Sequence, residues 1–80
     1  MANEALLQRI SVDPRVCGGK PCIRGHRIWV SLILDFLADG MSVDEVIAEY
    51  PQLEHVDVRA ALAYAARVSN GGFVELTPAA

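Results

Sequence analysis

Four side chains in the sequence have the chemistry to ligate a metal or to act in nucleophilic catalysis, but their spacing fits neither role. They are all of the chain's cysteines and histidines: Cys17, Cys22, His26 and His55. Their spacing matches no standard zinc pattern, and a structural zinc site needs four ligands. Two cysteines do not make a disulfide framework, so free thiols in a reducing compartment are expected. A Cys22–His26 pair lacks a third orienting group, and an 80-residue chain offers little room for a pocket.

Two other segments resemble functional motifs only superficially. Residues 18–21, Gly-Gly-Lys-Pro, lack the spacing of a P-loop, and Pro21 removes an N–H that a phosphate cradle needs. Asp44 and Glu45 are adjacent carboxylates, but in the first turn of a predicted helix they suit the helix dipole better than acid–base catalysis. The sequence therefore predicts no enzymatic activity, no cofactor and no metal.

The cations are concentrated in the first part of the chain. Residues 1–30 carry five cations and two anions, a net charge of +3, whereas residues 31–80 carry two cations and eight anions, a net charge of −6. A basic arm on an acidic body can neutralise phosphates or dock on an acidic partner. The candidate DNA-binding residues are Arg9, Arg15, Lys20, Arg24, Arg27 and Arg59. The alternatives are that these charges are merely solvated, or that Arg24 or Arg27 bonds carboxylates such as Asp35 or Asp13.

A short β arm is predicted to carry most of these cations. Residues 10–12 alternate apolar and polar side chains, as in a short strand, and Pro14 ends that pattern. Gly25 can adopt a positive φ, which suits a tight hairpin bend between residues 22–23 and 27–28. We therefore expect a small, irregular hairpin before the helices begin.

The first predicted helix covers residues 29–39. Ser31, Asp35 and Asp39 recur every four residues and form one narrow polar stripe, while the other positions are apolar. This pattern predicts burial on most sides of the helix. Gly40 then occupies the position at which a glycine commonly ends a helix.

Two more helices follow. Ser42 and Glu45 form a capping-box pattern that starts a helix over residues 42–50, and the proline after Tyr50 stops it. A third helix covers residues 55–69, with an apolar stripe at Val58, Ala61, Leu62, Ala65 and Val68. The predicted core consists of Trp29, Leu32, Ile33, Phe36, Leu37, Val43, Val46, Ile47, Tyr50, Leu53, Val58, Leu62 and Ala65. A β arm followed by three helices, the last two joined by about four residues, fits a helix-turn-helix and equally well any three-helix bundle.

The composition predicts one self-associating domain. Eighty residues have room for one domain (1–80), made of the arm (10–30), the helical core (29–69) and a tail (70–80) that contains a short strand or docked segment at 73–76. No apolar run approaches the about 20 residues of a membrane span and no signal peptide is visible, so a cytoplasmic protein is expected. The apolar fraction of 52% is high for this size and predicts a homodimer. The expected interface residues are Ile23, Ile28, Trp29, Val30 and Leu34.

Three blocks of sequence together form a recognisable pattern. They are I-S-V-D-P at 10–14 with G-G-K-P-C-I-R-G-H-R-I at 18–28, L-A-D-G-M-S-V-D-E-V at 37–46, and Y-P-Q-L at 50–53 with A-A-L-A-Y-A at 60–65. With these blocks the chain resembles the small bacterial proteins of domain-of-unknown-function family 433, over roughly residues 9–69. The glycine-rich block at 18–28 is the most specific part of the resemblance.

The resemblance implies a mainly-α fold and an antitoxin function. The implied fold is a three-helix, homeodomain-like helix-turn-helix bundle with a short N-terminal β arm, usually seen as a dimer. Family members are predicted antitoxins of type II toxin–antitoxin pairs, and the partner toxin is often a PIN-like ribonuclease. This sequence departs from the family pattern at His26, where threonine is common, and at Glu54, which replaces a threonine N-cap and is a poorer cap.

Three hypotheses about function remain open at the level of sequence. The first is an antitoxin that binds a PIN-like toxin and its own promoter DNA, with the third helix as the recognition helix. The expected outward residues of that helix are Glu54, His55, Asp57, Arg59, Tyr64 and Arg67, a poorly basic set for reading DNA. The second is a dimeric protein-interaction module with no DNA binding, whose acidic helices bind a basic toxin. The third is a dimeric globular protein whose surface charges have no specific role.

Overall fold

The computed structural model describes residues 4–71 and shows four helices and a two-stranded β hairpin. The elements are α1 (Glu4–Leu7), β1 (Ile10–Ser11), β2 (Cys22–Ile23), α2 (Val30–Ala38), α3 (Val43–Glu49) and α4 (His55–Ser69), with a 3-10 turn over Cys17–Gly19. The prediction of a mainly-α bundle with a short N-terminal hairpin is confirmed. The predicted tail segment at 73–76 lies outside the described residues. No helix within residues 4–71 is long and apolar enough to cross a membrane.

The β hairpin is part of the core, not a separate arm. β1 and β2 are antiparallel, with Ile10 opposite Ile23 and Ser11 opposite Cys22. All four side chains are at most 1% exposed. The bend predicted after β2 is present: Gly25 has a φ of +83°, and the Ile23 N–H donates to the carbonyl oxygen of Ile28 over 2.9 Å. The buried isoleucines of the hairpin therefore hold it, and the arginines next to it in the chain, against the helices.

α2 packs only one of its apolar sides inward. Ile33 is fully buried and Val30 is 2% exposed, but Trp29, at the N-cap, is 40% exposed and Leu32 is only half-buried. The expectation that Val30 lies off the core is therefore wrong, as is the placement of Trp29 in the core. Because nearly all positions outside the polar stripe are apolar, the pattern does not determine which apolar side faces the other helices.

Local signals end α2 and start α3. Gly40, with a φ of +98°, donates its N–H to the carbonyl of Leu37, in the manner of a helix-ending glycine. The capping box is present: Ser42 Oγ accepts the Glu45 N–H over 3.1 Å, and Glu45 Oε1 accepts the Ser42 N–H over 2.8 Å. Both predicted signals are confirmed, because each depends only on residues close in sequence.

α4 packs inward mainly through alanines. Val58, Ala60 and Ala61 are fully buried, whereas Leu62 is 46% and Val68 is 49% exposed. The predicted apolar stripe is therefore wrong at Leu62 and Val68. Small side chains let a helix approach its neighbours closely, and α4 contacts α1, α2, α3 and β1. The larger apolar side chains are left on the outer side of the helix.

The core joins the hairpin to all three long helices. Of the predicted core residues, Ile33, Val46, Leu53 and Val58 are confirmed as buried, and Trp29 and Leu62 are exposed. The remaining predicted core residues are half-buried. Buried residues that the sequence did not single out for the core are Leu7, Ile10, Cys22, Ile23, Ile28, Val30, Ala60, Ala61 and Ala63.

Candidate functional site

A cluster of charged side chains lies at the start of α4. Asp57 was expected to point outward but is 2% exposed. Its Oδ1 accepts a hydrogen bond from Arg9 Nη1 over 2.8 Å, and its Oδ2 accepts the Glu54 N–H over 2.8 Å. Arg9 Nη1 also lies 3.2 Å from Glu54 Oε1. The hydrogen bond to Asp57, helped by the charges of both carboxylates, raises the pKa of Arg9. The cluster ties the segment before β1 to the start of α4.

An open polar cleft surrounds this cluster. It has a volume of about 480 Å³ and is lined by Gln8, Arg9, Arg24, His26, Gln52, Glu54 and Asp57. Arg24 lies in the wall and donates to two backbone carbonyl oxygens, those of Gln8 over 2.8 Å and Ile10 over 3.0 Å. The charged groups of the cleft therefore bind one another or the backbone, and their main effect is to hold the hairpin on α4.

A second ion pair holds the loop after β1. Arg15 Nη2 and Nε donate to Asp13 Oδ2 over 3.0 Å and Oδ1 over 3.1 Å, and Oδ1 also accepts the Arg15 N–H over 2.9 Å. Asp13 is 3% exposed. The hydrogen bonds from Arg15 lower the pKa of Asp13, so the carboxylate is ionised at neutral pH. The sequence suggested Arg24 or Arg27 as the partner of Asp13, whereas the arginine that binds it is Arg15, two residues along the chain.

The two thiols lie in the loop between β1 and β2 and at the start of β2. Cys22 is buried, with its Sγ 3.7 Å from the Ser11 hydroxyl, and Cys17 is half-buried. Burial, together with a hydrogen bond to Cys22, raises the pKa of Cys17. A protonated, partly buried thiol is a poor nucleophile. Within residues 4–71, no three His, Cys, Asp or Glu side chains are grouped as a metal site requires.

An apolar ridge runs along α2, formed by the exposed Trp29 and the half-buried Leu32 and Phe36. The spacing i, i+3, i+7 places the three on one side of the helix. Lys20 Nζ lies 4.3 Å from the centre of the Trp29 ring, a cation–π contact at the start of the ridge. The Phe36 ring packs against Tyr50, with the ring centres 5.9 Å apart. We refer to these three residues as the α2 ridge.

A shallow apolar groove lies between α1 and α4. It has a volume of about 280 Å³ and is lined by Leu6, Arg59, Leu62, Ala63 and Ala66. Arg67 Nη2 lies 3.4 Å from Glu4 Oε2 and bridges the same two helices. The groove contains the exposed Leu62 that the sequence placed in the core.

Four of the six predicted DNA-binding cations have partners within the chain. Arg9 and Arg15 are bound to carboxylates, Arg24 donates to backbone carbonyls and Lys20 covers Trp29. Within the described part of the chain, Arg27 and Arg59 are exposed and form no ion pair.

Most of the predicted interface residues are internal. Ile23, Ile28 and Val30 are at most 4% exposed within a single chain, because the hairpin and the inner side of α2 pack on each other. Leu34 is half-buried and packs against the core, and Trp29 is exposed. Leu32 was expected in the core but is half-buried on the same side of α2 as Trp29.

The buried Asp57 is the main feature that sequence reasoning missed. Its partner Arg9 lies 48 residues away in the chain. One local signal was present: Asp57 stands three residues after the N-cap Glu54, the position from which a capping box reaches back to the N-cap N–H.

The fold and its sequence blocks define a known class of protein. The model of a family described as "Protein of unknown function (DUF433)" matches residues 10–65, and the chain belongs to this family. The resemblance seen in the sequence is thereby confirmed.

A solved structure has the same architecture. The chain is similar to the crystal structure of a DUF433 member protein from Anabaena variabilis ATCC 29413, with 32% sequence identity and a TM-score of 0.74. The similarity covers 85% of this chain and 67% of that one. None of the curated proteins matches the chain.

Proposed function

We propose that this protein is the antitoxin of a type II toxin–antitoxin pair, acting in the cytoplasm as a homodimer that binds a PIN-like ribonuclease. The observation that supports protein binding is the distribution of exposed charge. Every described carboxylate except Asp13 and Asp57 is exposed, whereas Arg9, Arg15 and Arg24 are engaged within the chain. The two buried carboxylates are each paired with an arginine, so the exposed carboxylates leave the described residues with a net negative charge that suits a basic partner.

The acidic side chains of α3 are the proposed contact with the toxin. Asp44, Glu45 and Glu49 are exposed along this short helix, and Asp44 Oδ1 lies 3.0 Å from His55 Nε2 at the start of α4. A nuclease surface that binds RNA phosphates carries exposed cations. Carboxylates on a rigid helix compete for those cations and exclude the nucleic acid.

Promoter DNA is the second candidate partner. The order α3, residues 50–54, α4 has the connectivity of a helix-turn-helix, and Arg59 is exposed on α4. Against strong DNA binding, Glu54 and His55 occupy the start of α4, where a recognition helix contacts base edges. A dimeric protein-interaction module with no DNA binding remains the alternative, and the engaged arginines favour it.

Co-expression with the product of the adjacent gene tests the toxin partner. We expect the two chains to co-elute in size exclusion, and Glu49→Lys to weaken the complex about tenfold or more in calorimetry. Glu4→Lys is the matched control, since it makes the same charge change on α1 and should leave the affinity unchanged. Separate elution of the two chains, or equal effects of both substitutions, would contradict the proposal.

A gel shift on the chain's own promoter tests the DNA partner separately. A salt-sensitive shift that Arg59→Ala weakens would support the helix-turn-helix role. If no shift is seen with micromolar protein in low salt, the proposal that the chain binds DNA is wrong. The protein-interaction module then stands as the alternative, and toxin binding is tested by co-elution alone.

A further inference from the structure

We propose that the α2 ridge is the dimer contact, and that α2 pairs antiparallel with α2 of a second copy across a two-fold axis. The inference rests on the homodimer in the proposed function and specifies the surface, the orientation and the charge pairs that form it. It follows from the apolar ridge and from the order of charges along the helix.

The apolar part of the contact is the α2 ridge. Trp29 is 40% exposed and Leu32 is half-buried, while Phe36 is half-buried because part of its side chain packs against the core. Helices that pack through such a ridge lie about 8–10 Å apart.

The charges along α2 run in the unfavourable direction for an isolated helix. Lys20, over Trp29, and Arg27 lie at its N-terminal end, whereas Asp35 and the C-cap Asp39 lie in its C-terminal half. Helix N-termini favour anions and C-termini favour cations. α2 has no acidic residue in its first turn and no basic residue in its last.

A second copy packed antiparallel places charges of the opposite sign beside both ends of α2. A two-fold axis across the middle of α2 places the Lys20 and Arg27 end of one copy beside the Asp35 and Asp39 end of the other. A nine-residue helix is about 13.5 Å long, so both ends are within reach of long basic side chains at once. Parallel pairing would instead juxtapose like charges at each end. The isologous contact closes, so it forms a dimer and not a fibre.

Charge reversal tests both the surface and the orientation. The acid-end variant carries Asp35→Lys and Asp39→Lys, and the base-end variant carries Lys20→Glu and Arg27→Glu. Sedimentation velocity on the full chain should show a dimer for the wild type and an about tenfold or greater weakening for each variant alone. An equimolar mixture of the two variants should dimerise like the wild type, because opposite charges then face each other at both ends. Arg59→Glu, a charge reversal on α4, is the control and should dimerise normally.

Each other outcome overturns the proposal. Variants that dimerise like the wild type exclude this surface or indicate parallel pairing, and a mixture that stays monomeric excludes the charge pairs. If the wild-type protein is monomeric at about 100 μM, the chain does not form the proposed dimer. Far-ultraviolet circular dichroism confirms that each variant is folded. Co-elution of the monomeric variants with the partner protein is measured separately, so the proposed toxin binding can stand or fail independently of the dimer.

Discussion

At the scale of single residues, the buried carboxylate of Asp57 connects parts of the chain that lie 48 residues apart. It accepts one hydrogen bond from Arg9 and one from the N–H of Glu54. Asp57→Ala removes the acceptor for both donors, and we expect a loss of about 1–3 kcal/mol in the free energy of unfolding. Denaturant titration followed by circular dichroism measures it.

Glu54→Gln is the matched control for that prediction. The Glu54 side chain is 68% exposed and reaches the same arginine over a longer distance of 3.2 Å. Exposed ion pairs contribute about 0–1 kcal/mol, so this variant should be nearly neutral. Equal losses for the two variants would mean that burial of Asp57 has no special role.

The sequence identified charged residues that form ion pairs more reliably than it identified their partners. The bond between Arg15 and Asp13 spans only two residues, but the sequence suggested Arg24 or Arg27 as the partner of Asp13. The bond between Arg9 and Asp57 spans 48 residues and depends on how α4 packs against the hairpin. Local composition carries no information on such a pair, so Arg9 was interpreted as a phosphate contact.

At the scale of elements, helix ends were predictable and helix faces were not. α3 begins after Ser42 and α4 covers His55–Ser69, as expected, because caps, glycine and proline act within a few residues. The inward face of α2 or α4 depends on packing against several other elements. In α4 the alanines can pack closely, and this outweighed the larger area that Leu62 would bury.

The revised face of α4 makes a testable distinction between two apolar residues. Leu62 is 46% exposed and Ile33 is fully buried. We expect Leu62→Ala to cost less than about 1 kcal/mol, since much of the side chain is already in water. Ile33→Ala should cost about 2–5 kcal/mol, because it removes transfer energy and leaves a cavity. Thermal or chemical unfolding measures both, and a larger loss at Leu62 than at Ile33 would restore the face predicted from sequence.

At the scale of the whole molecule, the many apolar side chains of the sequence lie in two places, the core and the surface. Most of them fill a core that reaches into the hairpin, where Ile10, Ile23 and Ile28 are buried. The remainder stays on the surface as the α2 ridge and the α1–α4 groove. The sequence predicted an interface on composition, but it assigned Ile23 and Ile28 to that interface because it treated the hairpin as an arm.

Trp29 reports directly on the proposed assembly, because it is the only tryptophan in the chain. It is 40% exposed in one copy, and burial against a second α2 ridge removes water from the indole. Its fluorescence emission should therefore shift to shorter wavelength as protein concentration rises, with a midpoint equal to the dissociation constant from sedimentation. The acid-end variant retains Trp29 and the apolar ridge, so its emission should stay at the longer wavelength over the same concentrations. A concentration-independent emission in a sample that sedimentation shows to be dimeric would place the dimer contact away from the ridge, and Leu62→Asp in the α1–α4 groove would then be the variant expected to dissociate it.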